Sequence, residues 1–209
     1  MRILILTHPR SGGMLLMSYI QSELNYKQYH EPFNNLTNDE IDTELLLIDN
    51  IVVKDFPYHI ESKGYNYFDI ISKFDKIIVH HRENDMDVAI SRTYFHTIKG
   101  GVKKMHQTYK IDDEWIRDNK NNIEEMMVDV KKKSDYVRNL SIEGSLKTTY
   151  DGIYDNKSDI PKLLEYLGIQ DSYYIDILDK RHRLQNGDVG MDDVKVKPKL
   201  IHKVKRKLI

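Results

Sequence analysis

The chain has 209 residues, of which 40% are hydrophobic and 31% charged, and it contains no cysteine. That size and balance suit one globular domain with a proper core, and the lack of cysteine excludes structural disulfides, iron–sulfur clusters, thiolate zinc sites and a thiol nucleophile. The net charge of −1 is uneven: Lys195, Lys197, Lys199, Lys203, Lys205, Arg206 and Lys207 put seven positive charges and no acid on residues 195–209, which leaves the body at −8.

In chain order, Ile3 to Leu6 is a continuous apolar run of the kind that forms a parallel strand buried on both faces. It ends in Thr7-His8-Pro9-Arg10-Ser11-Gly12-Gly13, and Leu16, Tyr19, Ile20 and Leu24 then fall on one helical stripe. Tyr26 to Phe33 is a short extended or loop segment ending in His30-Glu31-Pro32-Phe33. Residues 38–48 fit a short helix. Ile51-Val52-Val53 is a second strand, closed by Lys54-Asp55-Phe56-Pro57, and residues 61–74 read as mostly helical despite Gly64. Lys76 to His80 is a third strand. Met86, Ala89, Ile90, Thr93 and Tyr94 mark a helix. Lys99 to Lys104, with Gly100-Gly101, reads as a connecting loop or a lid. Residues 113–138 make the longest helix, with Ile116, Ile123, Met127, Val130 and Val137 on one face. Leu146 to Tyr150 is a fourth strand. A helix runs from Ile160-Pro161 to Leu167, with Gly168 past its end. Strands alternating with helices predict an α/β fold with a mainly parallel central sheet flanked by helices, spanning residues 1–190. The basic tail, residues 191–209, carries Leu200, Ile201, Val204 and Leu208 on one helical face. It suits a helix packed on its own domain, a frayed end, or a peripheral membrane or nucleic-acid contact, the first two being the commoner outcomes. No stretch is long and apolar enough for a membrane span, and the N-terminal residues read as core strand rather than signal peptide. A cytoplasmic location is the expectation.

A strand, a tight turn and a helix N-terminus make an anion site, because free backbone N–H groups and the positive end of the helix dipole converge there. Arg10 adds a planar, two-pronged cation suited to phosphate or sulfate. The turn is neither a Walker A loop, which needs Gly-Lys-Ser/Thr, nor a G-x-G-x-x-G fingerprint, and a plain turn with an exposed arginine is the simple alternative. A second cluster shifts the balance. Arg82 follows the strand at residues 76–80, and Ser91 stands two to three turns into the next helix. Ligands of open α/β sheets gather at the carboxyl ends of strands, so Arg10 and Arg82 are predicted to face one crevice and to suit a ligand with two anionic groups. A salt bridge from Arg82 to Asp85 or Asp87 is its competing role.

These residues resemble the sulfotransferase family, whose donor is 3′-phosphoadenosine 5′-phosphosulfate. His8-Pro9-Arg10-Ser11-Gly12-Gly13 is similar to the family's 5′-phosphosulfate loop. Arg82 through Ser91 resembles its 3′-phosphate motif, closer to bacterial carbohydrate-type members. Leu146 to Ile153, followed by Ile160 to Ile169, resembles its Tyr-Glu-Asp-Leu … Leu-Gly segment, and Arg181 to Asp188 looks like the loop closing over the nucleotide. The resemblance implies a P-loop-nucleotide-kinase-like sulfotransferase fold and no metal. It also implies a donor held by Arg10, Ser11, Gly12, Gly13, Met14, Leu15, Arg82, Ser91, Arg183, Gln185, Asn186 and Gly187. The chain departs from the family where Gly13 and Met14 replace the threonine or serine hydroxyl that normally follows Ser-Gly, leaving that work to backbone N–H groups.

The resemblance further implies that Glu31, in a Glu-Pro-aromatic segment, is the base removing the acceptor proton, aimed into the cleft by the extended backbone that Pro32 favours, a plain surface-loop acid being the alternative. His30 is the alternative base, since imidazole titrates near neutrality. Asp55 stands behind both, and His59 is a more distant surface candidate. Lys54 either neutralises the transferring sulfonate or is a solvated strand-end lysine. His80 and His81, adjacent on a strand, point to opposite faces and do not chelate one metal. Tyr150 and Asp151 are read as fixing the fold, and Trp115 as core. The expected function is sulfonate transfer to a hydroxyl of a carbohydrate or small metabolite, yielding 3′,5′-adenosine bisphosphate, with no nucleic-acid partner. The alternatives are another phosphate-binding transferase, such as a divergent nucleotide kinase, and a non-catalytic anion- or partner-binding domain.

Overall fold

The computed structural model describes residues 1–97 and 111–172. Five strands, β1 (Arg2–Leu6), β2 (Lys27–His30), β3 (Ile51–Asp55), β4 (Lys76–His81) and β5 (Leu146–Thr149), pair in the order β2-β3-β1-β4-β5, every pair parallel. The α/β class and the parallel sheet flanked by helices are therefore as the alternating pattern predicts. Because all strands run one way, the segments that follow them all emerge at one edge. After β1 the chain adds strands on one side and then, from β4, on the other, so the order reverses between β1 and β4. That is where a crevice opens in such sheets.

The core lies on both faces of the sheet. Ile3 and Ile5 of β1 pack with Leu16, Ile20, Ile153 and Leu163 on one face. Leu4 and Leu6 pack with Phe33, Ile41, Ile60 and Ile77 on the other. Each fully buried Leu or Ile contributes roughly 1.5–3 kcal/mol of transfer free energy, so the alternation along β1 makes the central strand the rigid base of the crevice. Helices α1 (Gly13–Leu24), α9 (Tyr150–Tyr154) and α10 (Ile160–Leu167) belong to the first layer, and α2 (Pro32–Asn35) and α4 (Pro57–Ser62) to the second. A third cluster joins α6 (Asp85–Thr97) to α8 (Lys120–Arg138) through Val88, Ala89, Ile123 and Val130.

Several elements differ from the sequence expectation. The Tyr26–Phe33 segment contains a true strand, β2, whose residues are mostly exposed. An edge strand has little apolar surface to bury and so carries no hydrophobic run. Residues 38–48 give only α3 (Asn38–Glu40), opened by a Thr37–Glu40 capping box, and a π-helical turn, Ile41–Leu45. Residues 61–74 split into the end of α4 and α5 (Tyr67–Ile71), separated at Gly64, whose φ of 78° is left-handed. The long helix breaks into α7 (Asp113–Asp118) and α8 at Asn119, whose backbone leaves the helical region at φ −104°, ψ 14° while its side-chain amide donates to the Trp115 carbonyl at 2.9 Å. Trp115 is only half-buried and packs edge-on against Tyr94. Among the described residues, no helix is long and apolar enough to cross a membrane. The connection at residues 99–104, the closing loop with Arg183, Gln185, Asn186 and Gly187, and the tail 191–209 lie outside the described residues.

Candidate functional site

The turn from β1 to α1 needs two residues at positive φ, Arg10 at 63° and Gly12 at 88°. A Cβ on Gly12 would stand 2.7 Å from the Tyr154 ring and 2.8 Å from the Tyr150 ring, so only glycine fits. The Tyr154 hydroxyl donates to the Gly12 carbonyl at 2.9 Å. Gly12 caps α1 without any side-chain capping bond. Its carbonyl already accepts from the N–H groups of Leu15 and Leu16. The backbone of Leu15 is thus engaged within the turn. The described residues supply no acceptor for the N–H groups of Gly13 and Met14, which open the helix. Ser11 is buried, and its hydroxyl is hydrogen-bonded to that of Thr7. Met14 is exposed.

Two neutral histidines fix this turn. His80 is buried in β4, and its Nε2–H donates to the Ser11 carbonyl at 2.9 Å. Its Nδ1 therefore accepts from the Thr148 hydroxyl, also at 2.9 Å. Burial pushes its pKa down to about 3. His8 donates from Nδ1 to the Pro9 carbonyl at 3.1 Å, and its Nε2 accepts from the backbone N–H of Arg82 at 3.1 Å. Burial lowers its pKa to about 4. Neither His8 nor His80 is among the site residues that the sequence predicts. A polar residue at the end of a fully apolar strand was the signal available, since burying one requires a specific partner.

The crevice brings the two arginine clusters together. Arg10 Nε–H donates to Ser91 Oγ at 2.8 Å, joining the first turn to α6. Burial, and then the nearby Arg82 guanidinium, lower the proton affinity of Arg10. The residue is nevertheless open to solvent. Among the described residues, no carboxylate lies within ion-pair distance of Arg10. Arg82 lies over the Tyr150 ring with its guanidinium carbon 4.2 Å from the centroid. It also pairs with Asp87 at 2.8 Å, the contact weighed against it from sequence. Tyr150 is thus a wall of the site, packed between Gly12 and Arg82.

A second corner lies at the ends of β2 and β3. Lys54 is buried, so the solvated strand-end lysine is excluded. Its ammonium donates to Glu31 Oε1 at 2.6 Å, and His30 Nε2 stands 3.0 Å from the same oxygen. Burial raises the proton affinity of Glu31, but the hydrogen bond to His30 and the Lys54 ammonium outweigh it and bring its pKa to about 2. Burial lowers that of Lys54 against the opposing pull of Glu31. Glu31 is not extended as Pro32 suggests. It sits at φ 50°, ψ 48°, its N–H bound to the Lys54 carbonyl and its own carbonyl taking N–H bonds from Asn34 and Asn35. The chain reverses there to start α2, and these bonds offset the cost of the left-handed turn. Arg10 and Glu31 are thus both non-glycine residues at positive φ, as are Asn25, Asn50 and Lys157 elsewhere among the described residues.

Asp55 does not reach this corner. It is fully buried, and its oxygens take the N–H groups of Phe33 and Phe56 and His59 Nδ1 at 2.7–2.8 Å. It is a structural clamp, and His59 is its partner rather than a surface histidine. Among the described residues, no group of three or more His, Asp or Glu is placed to hold a metal ion.

No protein-family model matches this chain, and no curated protein matches it. The functional reading therefore rests on the site itself.

Proposed function

We propose that the chain is a sulfotransferase of P-loop-nucleotide-kinase-like fold. It would take sulfonate from 3′-phosphoadenosine 5′-phosphosulfate to a hydroxyl of a carbohydrate or small metabolite. The observation that carries this reading is the convergence of Arg10, Ser91 and Arg82 at the β1/β4 crevice, where two guanidinium groups repel each other and Arg10 has no carboxylate partner among the described residues. Like charges are held together at a cost, and a ligand with two separate anionic groups removes it. Support also comes from the strand order, which sets an anion-binding turn after the central strand at the point where the order reverses.

In this reading Arg82 takes the 3′-phosphate, while Arg10 and the N–H groups of Gly13 and Met14 face the 5′-phosphosulfate. The acceptor oxygen attacks sulfur, the bond from sulfur to the bridging phosphate oxygen breaks, and the charge left on that oxygen is met by Arg10 and the helix N-terminus. Glu31 takes the acceptor proton. In the free protein it is already ionised, the form a base requires. A sulfonate competing for Lys54 would raise its proton affinity toward the range where base catalysis works. Binding without turnover is favoured by one observation: a carboxylate held at about 2 is a weak base. Nucleotide binding with no transfer to any hydroxyl would select that second reading.

The test is thermal stabilisation by 3′,5′-adenosine bisphosphate against ATP with magnesium. A ligand of the folded state stabilises by RT ln(1 + [L]/Kd). The larger shift is expected from the bisphosphate. A larger shift from ATP with magnesium would point to a nucleotide kinase instead.

A further inference from the structure

Arg82 leaves the sheet just past His81, in a stretch that would otherwise be free to swing. Its backbone is held from two directions. Its N–H goes to His8 Nε2 at 3.1 Å. Its carbonyl accepts from Arg138 Nη2 at 3.0 Å, and the next carbonyl, of Glu83, accepts from the same nitrogen at 2.8 Å. Arg138 also forks onto Asp85 at 2.5 and 3.1 Å and reaches Asp135 at 3.1 Å. Asp85 is steadied in turn by the buried Ser134 hydroxyl at 2.7 Å. Arg138 closes the last turn of α8, where the helix dipole favours a cation. An arginine needed only for an ion pair would not also set one nitrogen on two neutral carbonyls.

We propose that Arg138 is a positioning residue for the anion site: from the end of α8 it sets the backbone of Arg82 and Glu83, and so aims the Arg82 guanidinium over Tyr150 into the crevice. The proposal rests on the reading that Arg82 binds the 3′-phosphate. The fork grips Asp85 with both terminal nitrogens while Nη2 also meets the two carbonyls, so lysine keeps the charge but loses the second nitrogen and with it the bidentate hold that fixes the first.

The experiment measures, by calorimetry on the full chain, the affinity of 3′,5′-adenosine bisphosphate relative to 5′-AMP. Wild type is expected to prefer the bisphosphate. Arg138→Lys is expected to reduce that preference about tenfold while leaving 5′-AMP affinity nearly unchanged. Combined with Arg82→Ala, it should add almost nothing, because both act through one contact. Wild type without a preference would overturn the reading of Arg82 and this inference with it. A preference in wild type that survives in Arg138→Lys would overturn the inference alone, as would full additivity with Arg82→Ala. Should Arg138→Lys fail to fold, Ser134→Ala loosens Asp85, losing besides only a long bond to the Lys131 carbonyl within α8, and is expected to weaken the preference by about threefold; an unchanged preference would again refute the role.

Discussion

The β1/β4 crevice and the β2/β3 corner both gather charge at the same edge of the sheet, and they treat it in opposite ways. In the crevice, Arg10 is held by neutral groups, a serine hydroxyl and a turn pinned by two uncharged histidines. In the corner, the buried Lys54 is closed directly onto Glu31, and Glu31 onto His30. On the proposed reading Arg10 stays uncommitted to receive an anion, while Arg82 is already paired with Asp87. A buried ammonium with no ligand present must keep a counter-ion, since an unpaired charge in that position costs several kcal/mol. On that reading the crevice is set to bind at Arg10, and the corner to rearrange once a ligand is in place.

Breaking the corner should give the largest effect. Glu31→Gln leaves Lys54 buried without its carboxylate and is expected to cost about 3 kcal/mol of folding stability. It should also lower sulfonate transfer at least about 100-fold, with bisphosphate affinity retained. Chemical denaturation and a transfer assay read the two effects separately, and undiminished turnover would remove Glu31 as the base. The crevice should respond differently. Arg10→Ala is expected to weaken bisphosphate binding by about 100-fold, the worth of a charge-assisted contact. The melting temperature of the ligand-free protein should stay unchanged or rise, because repulsion from Arg82 is relieved. A fall in that temperature would show that Arg10 is structural.

The histidines sharpen the contrast through pH. His8 and His80 have folded-state pKa values of about 4 and about 3, below the ordinary 6.5. The unfolded chain therefore takes up protons first, and stability falls as pH drops from about 6.5 toward those values. Glu31, with its value at about 2, adds a loss only below its ordinary 4.5. Melting curves should thus decline between pH 6.5 and 5, before the corner titrates, and His8→Gln should flatten that decline. An equally steep slope in the variant would contradict the assignment.

The smallest effect is steric. A Cβ at Gly13 would stand 2.8 Å from Thr7 Cγ2 and 3.4 Å from Lys54 Cε. Gly13→Ala is expected to cost about 1–2 kcal/mol by overpacking. Thr7→Ser, which deletes that methyl, should recover most of the loss, as urea midpoints would show. The hydroxyl absent at position 13 is thus matched by a neighbour that leaves no room for a side chain there.

Strands with continuous apolar runs were legible in the sequence because burial on both faces forces that pattern. β2 was less so, since Lys27, Gln28 and His30 are exposed. That the turns bearing Arg10 and Arg82 leave the sheet at one edge followed from its being parallel, in which all strand ends point one way. The pairing of Lys54 with Glu31 did not, because two residues 23 positions apart in the chain meet only once the β2–β3 register is set. The left-handed turn at Glu31 opposed the local preference before Pro32, and tertiary hydrogen bonds decided it. His8 and His80 gave no periodic signal at all, since their role is a partner rather than a face.

The most direct measurement is a crystal structure with bound 3′,5′-adenosine bisphosphate. Expected is a single nucleotide bridging the crevice, its 5′-phosphate within hydrogen-bond reach of Arg10 and the Gly13 and Met14 N–H groups, its 3′-phosphate on Arg82. A nucleotide seated elsewhere, or one touching only one of the two guanidinium groups, would contradict it.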